Sequence, residues 1–102
     1  MDEEYMEAVL DLVETIPAGQ AMTYGGIALV VGTALGRGGP RQVGQVLSRA
    51  GAGVPWWRVV NAAGAPPRHQ TSLAIERLRA DGCPLVGDGT RVDLRAAAYQ
   101  PR

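Results

Sequence analysis

The sequence predicts a mainly α-helical domain with one small β-hairpin, arranged like a winged helix-turn-helix. Four segments repeat apolar residues at helical spacing, and a glycine-rich turn joins the second segment to the third. Near the C-terminus, Gly87-Asp88-Gly89 separates Leu85-Val86 from Arg91-Val92-Asp93-Leu94, a pattern typical of a hairpin or wing. The 102 residues contain no internal repeat and no long linker, so we expect residues 1–102 to form a single domain.

The first helix is predicted from Asp2 to Ile16. Its apolar face combines Tyr5, Val9, Leu12 and Ile16, which recur at intervals of three and four residues. Asp2 or Glu3 is suited to cap its N-terminus, where acidic side chains also favour the helix dipole. Pro17-Ala18-Gly19 is expected to end the helix.

The next two helices form the predicted helix-turn-helix. Thr23 is a good N-cap for a helix from about Tyr24 to Val31, and Gly32 to Gly39 is expected to form the turn. Pro40 is favoured at the first position of a third helix that reaches Ala50. Helical spacing leaves four polar side chains on its outer side: Arg41, Gln42, Gln45 and Arg49.

The remaining elements are shorter. Trp56 to Val60 is β-prone and precedes a predicted turn from Asn61 to Gly64. A fourth helix is expected to begin at a cap on Thr71 or Ser72 and to reach Ala80.

The charge distribution indicates a polyanionic partner. The net charge is zero, yet all six charges before Thr15 are acidic, whereas the stretch from Thr15 to Ile75 has no acid. That stretch carries five arginines: Arg37, Arg41, Arg49, Arg58 and Arg68. Genomic base composition accounts equally well for the absence of lysine, but not for the missing acids. Arginine's planar donor fork suits phosphate oxygens and guanine edges, which favours DNA.

Cysteine and histidine usage argues against several classes of site. Cys83 is the only cysteine and His69 the only histidine, so no disulfide framework, zinc site or cofactor is expected. We interpret Cys83 as a small apolar filler. No apolar run is long enough to span a membrane, and the acidic start is unlike a signal peptide, so a cytoplasmic location is expected.

The run Pro55-Trp56-Trp57-Arg58-Val59 resembles the active-site signature of the O6-alkylguanine-DNA alkyltransferases, Pro-Cys-His-Arg-Val. Further similar segments, in the family's order, are Ile16-Pro17-Ala18-Gly19, Thr23-Tyr24-Gly25, Arg41-Gln42-Val43-Gly44, the Asn61…Gly64 turn and Val92-Asp93-Leu94. Trp56 replaces the alkyl-accepting cysteine and Trp57 the histidine, and an indole provides neither a thiolate nor imidazole's proton transfer. The resemblance is therefore to the alkyltransferase-like proteins, which implies lesion binding without a reaction and hence no enzyme.

The resemblance also implies roles for individual residues. Tyr24 would press on the target nucleotide's phosphate, and Arg41 would enter the base stack in place of the flipped base. The expected DNA contacts are Tyr24, Arg37, Arg41, Gln42 and Gln45. The expected lesion pocket consists of Trp56, Trp57, Arg58, Arg68 and Tyr24. For Trp57, packing in the core is an equal alternative. For Arg58, bonding of backbone carbonyls and lining of the pocket both stay open.

Three functions are compatible with these observations. The first is a monomeric, nucleoid-associated sensor that flips O6-alkylguanine out of duplex DNA and recruits nucleotide excision repair through its damage-recognition ATPase. The second is a helix-turn-helix transcriptional regulator that reads undamaged DNA, usually as a dimer, which leaves Trp56 unexplained. The third is an enzyme that uses Cys83 or His69, for which no nucleophile–base pair is visible.

Overall fold

Three helices pack together in the first half of the chain, in the computed structural model that describes residues 2–101. They are α1 (Glu3–Thr15), α2 (Tyr24–Leu35) and α3 (Pro40–Ala50). Their apolar faces share one buried cluster that includes Tyr5, Val9, Val13, Ile27, Val31, Val43 and Val46. α2 contacts both α1 and α3, so the predicted helix-turn-helix is the centre of this cluster.

The caps of α1 and α2 are as predicted, but α2 is longer. The Asp2 carboxylate accepts a hydrogen bond from the backbone N–H of Tyr5 at 3.2 Å, and the Thr23 hydroxyl accepts one from Gly26 at 2.9 Å. The expectation that α2 ends near Val31 is wrong, since the helix continues to Leu35 and ends at Gly36, whose φ is 73°. Packing against two helices outweighs the roughly 1 kcal/mol cost of an internal glycine.

A short parallel pair joins the helices to the tryptophan run. β1 (Met22–Thr23) lies beside β2 (Val59–Val60), with Met22 opposite Val59. The predicted strand from Trp56 was wrong in its first part, because Trp56–Arg58 forms a 3-10 turn. Parallel strands need a long crossover, and α2 with α3 supplies it. The pairing places the start of α2 next to the end of the tryptophan run.

The second half of the chain builds a smaller core around a hairpin. Its elements are α4 (Thr71–Ala80), β3 (Leu85–Val86), β4 (Arg91–Val92) and α5 (Leu94–Ala97). β3 and β4 pair antiparallel, which confirms the predicted hairpin. The buried residues of this core include Val60, Ile75, Leu78, Cys83, Val92 and Ala97. The mainly helical fold class with a wing is therefore confirmed.

The start of α4 and the presence of α5 were not expected from the sequence. No side chain among residues 2–101 caps α4, since Thr71 lies inside the helix and its hydroxyl donates to the carbonyl of Pro67 at 3.1 Å. The sequence did not predict α5, which begins where the Asp93 carboxylate accepts from the N–H of Arg95 at 3.1 Å.

The predicted turn at Asn61 ties the two halves together. Gly64 has a φ of 86°, and a Cβ there would overlap the backbone of Val92. The carbonyl of Gly64 accepts a hydrogen bond from the N–H of Val92 at 2.8 Å. Only glycine combines this backbone conformation with such close approach of another strand.

Candidate nucleic-acid interface

The exposed side of α3 is the most cationic helix surface in the first half of the chain. Val43 and Val46 are buried, which turns Arg41, Gln45 and Ser48 outward as one exposed ridge. Within residues 2–101, no ion pair involves Arg41. An unpaired guanidinium on the first turn of a helix is available to a ligand rather than used for stability.

A small pocket lies on one flank of α3, against the first tryptophan. Its volume is about 60 Å³, and its walls are Tyr24, Gly44, Leu47, Ser48, Trp56, Pro67, His69 and Gln70. Typical small-molecule sites enclose roughly 300 Å³ or more. A nucleobase therefore needs the pocket to widen, and the exposed His69 and Gln70 are the wall residues least held by packing.

Tyr24 connects this pocket to Arg41. It is the first residue of α2, directly after the Thr23 cap, and it is half-buried. Besides lining the pocket it lines an open groove of about 470 Å³ that also contains Arg41 and Asn61. Burial raises the pKa of the Tyr24 hydroxyl, so the group stays a neutral hydrogen-bond donor at physiological pH.

Trp57 and Arg58 are not among the residues that line the pocket. The Trp57 indole N–H donates to Asp81 Oδ2 at 2.9 Å. The Arg58 guanidinium donates to both oxygens of the same carboxylate, at 2.8 and 3.1 Å, and to the carbonyl of Ile16 at 2.9 Å. These contacts favour the alternative in which Trp57 and Arg58 stabilise the fold, rather than the one in which they line the lesion pocket.

The Asp81 cluster, defined here as Trp57, Arg58, Arg77 and Asp81, also places two guanidinium groups against the ring of Trp57. The guanidinium carbons of Arg58 and Arg77 lie 5.4 and 4.8 Å from the Trp57 ring centroid, within cation–π range. Trp57 in turn meets Trp56 edge to face, with ring centroids 5.9 Å apart. The cluster thus supports the tryptophan that lines the pocket.

Asp81 is a residue that the sequence reasoning missed. The Arg58 guanidinium, followed by the Trp57 N–H, lowers the pKa of Asp81 below its ordinary value. Its side chain is 12% exposed and that of Arg58 is 16% exposed. Nothing local in the sequence signals this pairing, because the partners are 23 residues apart and only the fold brings them together.

Two of the predicted DNA-contact residues already have partners within the protein. Arg37 donates to Asp2 at 2.5 Å and to Glu4 at 2.6 Å, and these carboxylates raise its pKa further. The side-chain oxygen of Gln42 accepts from the N–H of Gly39 at 3.0 Å and so caps α3. Of the predicted set, Tyr24, Arg41 and Gln45 form no such side-chain contact with the residues that the structure describes.

Arg68 and Cys83 lie outside the pocket wall. Arg68 is exposed in a 3-10 turn, and the two residues after it line the pocket instead. Cys83 is 6% exposed in the second core, where burial raises the pKa of its thiol. Among residues 2–101 there is no group of three metal-binding side chains, and no helix is long and apolar enough to cross a bilayer.

Comparisons with known proteins find the same domain elsewhere. A family model described as the DNA-binding domain of 6-O-methylguanine DNA methyltransferase matches residues 4–82. The DNA base-flipping protein of Escherichia coli K12 is 35% identical over 98 residues, which cover 92% of this chain and 73% of that protein. The protein of the same description from Vibrio parahaemolyticus is 29% identical over 97% of this chain and 99% of its own length.

Solved structures give a similar result over almost the whole chain. S. pombe Atl1, in complex with damaged DNA containing O6-carboxymethylguanine, superposes with a TM-score of 0.81 and 28% identity, covering 99% of both chains. S. pombe ATL in complex with DNA gives a TM-score of 0.77 at 32% identity, covering 99% of this chain and 98% of the other.

Proposed function

Because the chain belongs to the family of the 6-O-methylguanine DNA methyltransferase DNA-binding domain, as an alkyltransferase-like member, we propose that it is a non-enzymatic sensor of O6-alkylguanine in duplex DNA. It binds the lesion by rotating the nucleotide out of the helix into the pocket beside Trp56. The observation that carries this proposal is the indole of Trp56 in the pocket wall, in a chain whose only cysteine is buried elsewhere.

The pocket offers no activated nucleophile for alkyl transfer. The indole of Trp56 has no sulfur, so it cannot provide the thiolate that accepts an alkyl group. Ser48 and His69 both line the pocket, but no hydrogen bond between described residues joins them, as a serine nucleophile and its base require. The proposed outcome of binding is therefore a lasting complex and not a repaired base.

Flipping is proposed to use Tyr24 and Arg41 together. Rotating a nucleotide out of the duplex costs a few kcal/mol of stacking and pairing. The neutral Tyr24 presses on the phosphate from the pocket side, while the unpaired guanidinium of Arg41 enters the gap and restores part of the stacking. Gln45, on the same ridge of α3, contributes a further DNA contact.

Trp56 supplies the binding energy for the flipped base. Base–aromatic stacking is worth about 1–3 kcal/mol and tolerates different bases. Leu47 and Pro67 extend the apolar wall beside the indole, which suits an alkyl group of variable size. Arg68 is proposed as an outer contact that reaches the base once the turn at His69 has moved. Trp57 and Arg58 are proposed to support Trp56 rather than to touch the lesion.

Several broader statements are proposed with the function. Residues 1–102 act as one domain, because the pocket draws its walls from α2, α3 and the turn before α4. The protein acts as a monomer on nucleoid DNA in the cytoplasm. Since binding ends in no reaction, the output is recruitment of nucleotide excision repair, through its damage-recognition ATPase.

The test is a pair of binding curves on a duplex with one O6-methylguanine and on its unmodified twin. We expect tighter binding to the modified duplex, with the methyl group still on the guanine after incubation and no mass increase of the protein. Equal affinity for both, with a preference for one undamaged sequence, would indicate the regulator. A methylated side chain would show an enzyme.

A further inference from the structure

The loop between α2 and α3 makes contacts with α1 that the function proposed above does not use. We call residues 36–39, with the sequence Gly36-Arg37-Gly38-Gly39, the glycine loop. Glycine is the most conformationally free residue, so a loop with three glycines in four residues adopts one conformation only where contacts fix it. The contacts with α1 therefore decide how this loop leads into α3.

Arg37 supplies the polar contacts of the glycine loop. Its Nε donates to Asp2 at 2.5 Å, and its Nη2 donates to Glu4 at 2.6 Å. The remaining nitrogen, Nη1, donates to the carbonyl of Leu35 at 3.1 Å. Asp2 caps α1, Glu4 lies in its first turn, and Leu35 is the last residue of α2. One guanidinium thus joins the start of α1 to the end of α2.

Gly38 supplies the apolar contact of the glycine loop. Its φ is 91°, and a Cβ there would overlap the ring of Tyr5, which is 4% exposed on the buried face of α1. Only glycine combines this backbone conformation with so close an approach to the ring. The backbone of the loop therefore lies directly against α1.

These contacts lead to the first turn of α3. Pro40, Arg41 and Gln42 are exposed, and the first buried residue of the helix is Val43. Packing in the core holds α3 from Val43 onward, whereas the turn before it continues directly from the glycine loop. The N–H of Gly39 donates to the side-chain oxygen of Gln42 at 3.0 Å, which links the loop to this turn. Contacts thus run from α1 through the loop to the turn that carries Arg41.

We propose that Arg37 is a positioning residue, which together with Asp2 and Glu4 fixes the direction in which Arg41 meets the DNA. The proposal rests on the proposed function for the role of Arg41. Apparent affinity falls with the fraction of molecules that have the binding arrangement, so a loosened loop weakens binding even where the fold is intact. The alternative is that Arg37 leaves its carboxylates and binds a phosphate itself.

Neutralising the two carboxylates separates these alternatives by the sign of the effect. Asp2→Asn keeps a side chain that caps helices well, and Glu4→Gln keeps the length of the side chain. If Arg37 binds a phosphate, freeing it and removing two negative charges should strengthen binding to an O6-methylguanine duplex. Positioning predicts the reverse: the double variant should bind roughly threefold to fivefold more weakly, with its Tm little changed.

Glu7→Gln combined with Asp11→Asn is the matched control. Both residues are exposed on α1, and no ion pair among residues 2–101 involves them. The pair of substitutions removes the same charge from the same helix without releasing the glycine loop. It should bind the duplex at least as tightly as the wild type.

Two further measurements show whether the effect passes through Arg41. On an Arg41→Ala background, the substitutions at Asp2 and Glu4 should cause almost no further loss, because residues that act through one another are not additive. Arg37→Ala should keep the wild-type slope of log affinity against log salt. Loss of a phosphate contact would instead make that slope shallower by about 0.9.

Gly38→Ala displaces the loop without changing any charge. Its Cβ meets the Tyr5 ring, so lesion binding should weaken by a similar factor, with the wild-type salt slope. Gly36→Ala is the control, because Gly36 also has a positive φ, 73°, but a Cβ there meets nothing within 4 Å. It should bind the lesion more tightly than Gly38→Ala.

Four results would overturn the proposal. They are an Asp2→Asn, Glu4→Gln variant that binds as tightly as the wild type or more tightly, a loss that keeps its full size on the Arg41→Ala background, a shallower salt slope in Arg37→Ala, and equal binding by the variants at Gly36 and Gly38. Arg41→Ala that binds like the wild type would instead remove the role of Arg41 itself. A failure of the proposed function is therefore distinguishable from a failure of the positioning.

Discussion

The arginines of the Asp81 cluster and those on the outer face of α3 differ in whether they have partners within the protein. At the cluster, Arg58 is 16% exposed and donates to a carboxylate and to a backbone carbonyl. On α3, Arg41 and Arg49 are exposed, and no ion pair between described residues involves them. A satisfied arginine stabilises the fold, whereas an unsatisfied one is available to a ligand. This difference divides the arginines in the middle of the chain into those that stabilise the fold and those that are available to bind a ligand.

Asp81→Ala should have the largest effect of any change considered. It leaves the Arg58 guanidinium and the Trp57 N–H without their acceptor in a mostly buried place, which costs about 3 kcal/mol of unfolding free energy. Chemical denaturation measures this loss. Glu4→Ala is the matched control, because it removes an exposed carboxylate that also pairs with an arginine, and it should change stability little. Similar losses in both variants would contradict the distinction between the two regions.

Arg41→Ala should strongly weaken binding to damaged DNA. The loss of the intercalating guanidinium should weaken binding to an O6-methylguanine duplex by roughly 2 kcal/mol, or about thirtyfold, a large part of the cost of flipping. Trp57→His should weaken it much less. Fluorescence anisotropy on labelled duplexes gives both values. Wild-type affinity in Arg41→Ala would rule out the intercalation role.

Trp56→Ala and Trp57→Ala should separate binding from support. Trp56→Ala removes the stacking platform and should lower affinity for the lesion by about 1–3 kcal/mol, with the fold retained. Trp57→Ala should mainly lower the free energy of unfolding, because the Trp57 N–H donates to Asp81 and two arginines lie within cation–π range of its ring. Denaturation and binding measured on both variants decide this. The reverse assignment of the two effects would mean that Trp57 is the lesion contact.

Acid should weaken the Asp81 cluster. The pKa of Asp81 is lowered in the folded protein from an ordinary value of 3.8, so its stabilising contribution is present above that value. The contribution is lost as pH falls from about 3.8 through the lower folded pKa. Thermal unfolding across this range gives Tm as a function of pH. The fall of Tm with falling pH should be less steep in Asp81→Asn than in the wild type. Asp2 and Asp88 also have lowered pKa values, so some dependence should persist in the variant.

Arg37→Ala should have the smallest effect on DNA affinity. Its guanidinium is 43% exposed and already bound to Asp2 and Glu4, so a DNA phosphate has to compete with two carboxylates. We expect a much smaller loss of DNA affinity than for Arg41→Ala in the same anisotropy assay. An equal loss would mean that Arg37 leaves its carboxylates when DNA binds.

Local patterns were sufficient to predict most of the fold. The caps at Asp2 and Thr23, Pro40 at the start of α3 and the glycines of the hairpin act within a few residues, and each was read directly from the sequence. The errors came where distant contacts outweighed local preference. Gly32 did not end α2, because packing on two other helices stabilises the extra turn.

The candidate site was predicted unevenly for the same reason. Tyr24 and Trp56 line one pocket, as the order of motifs suggested, but Trp57 and Arg58 face a carboxylate far along the chain. Arg37 looked like the other arginines until the fold brought Asp2 and Glu4 beside it. Residue type and spacing identify which side chains carry donors, but they do not show which donors are already occupied.

The sequence by itself determined the helix-turn-helix, the wing and the replacement of a reactive cysteine by Trp56, because these depend on residue identity and short-range spacing. Only the tertiary structure decided which tryptophan and which arginines are free to meet a ligand. That choice depends on partners from distant segments, such as Asp81 for Arg58 and Asp2 for Arg37. Only the packing of the two cores brings these partners together.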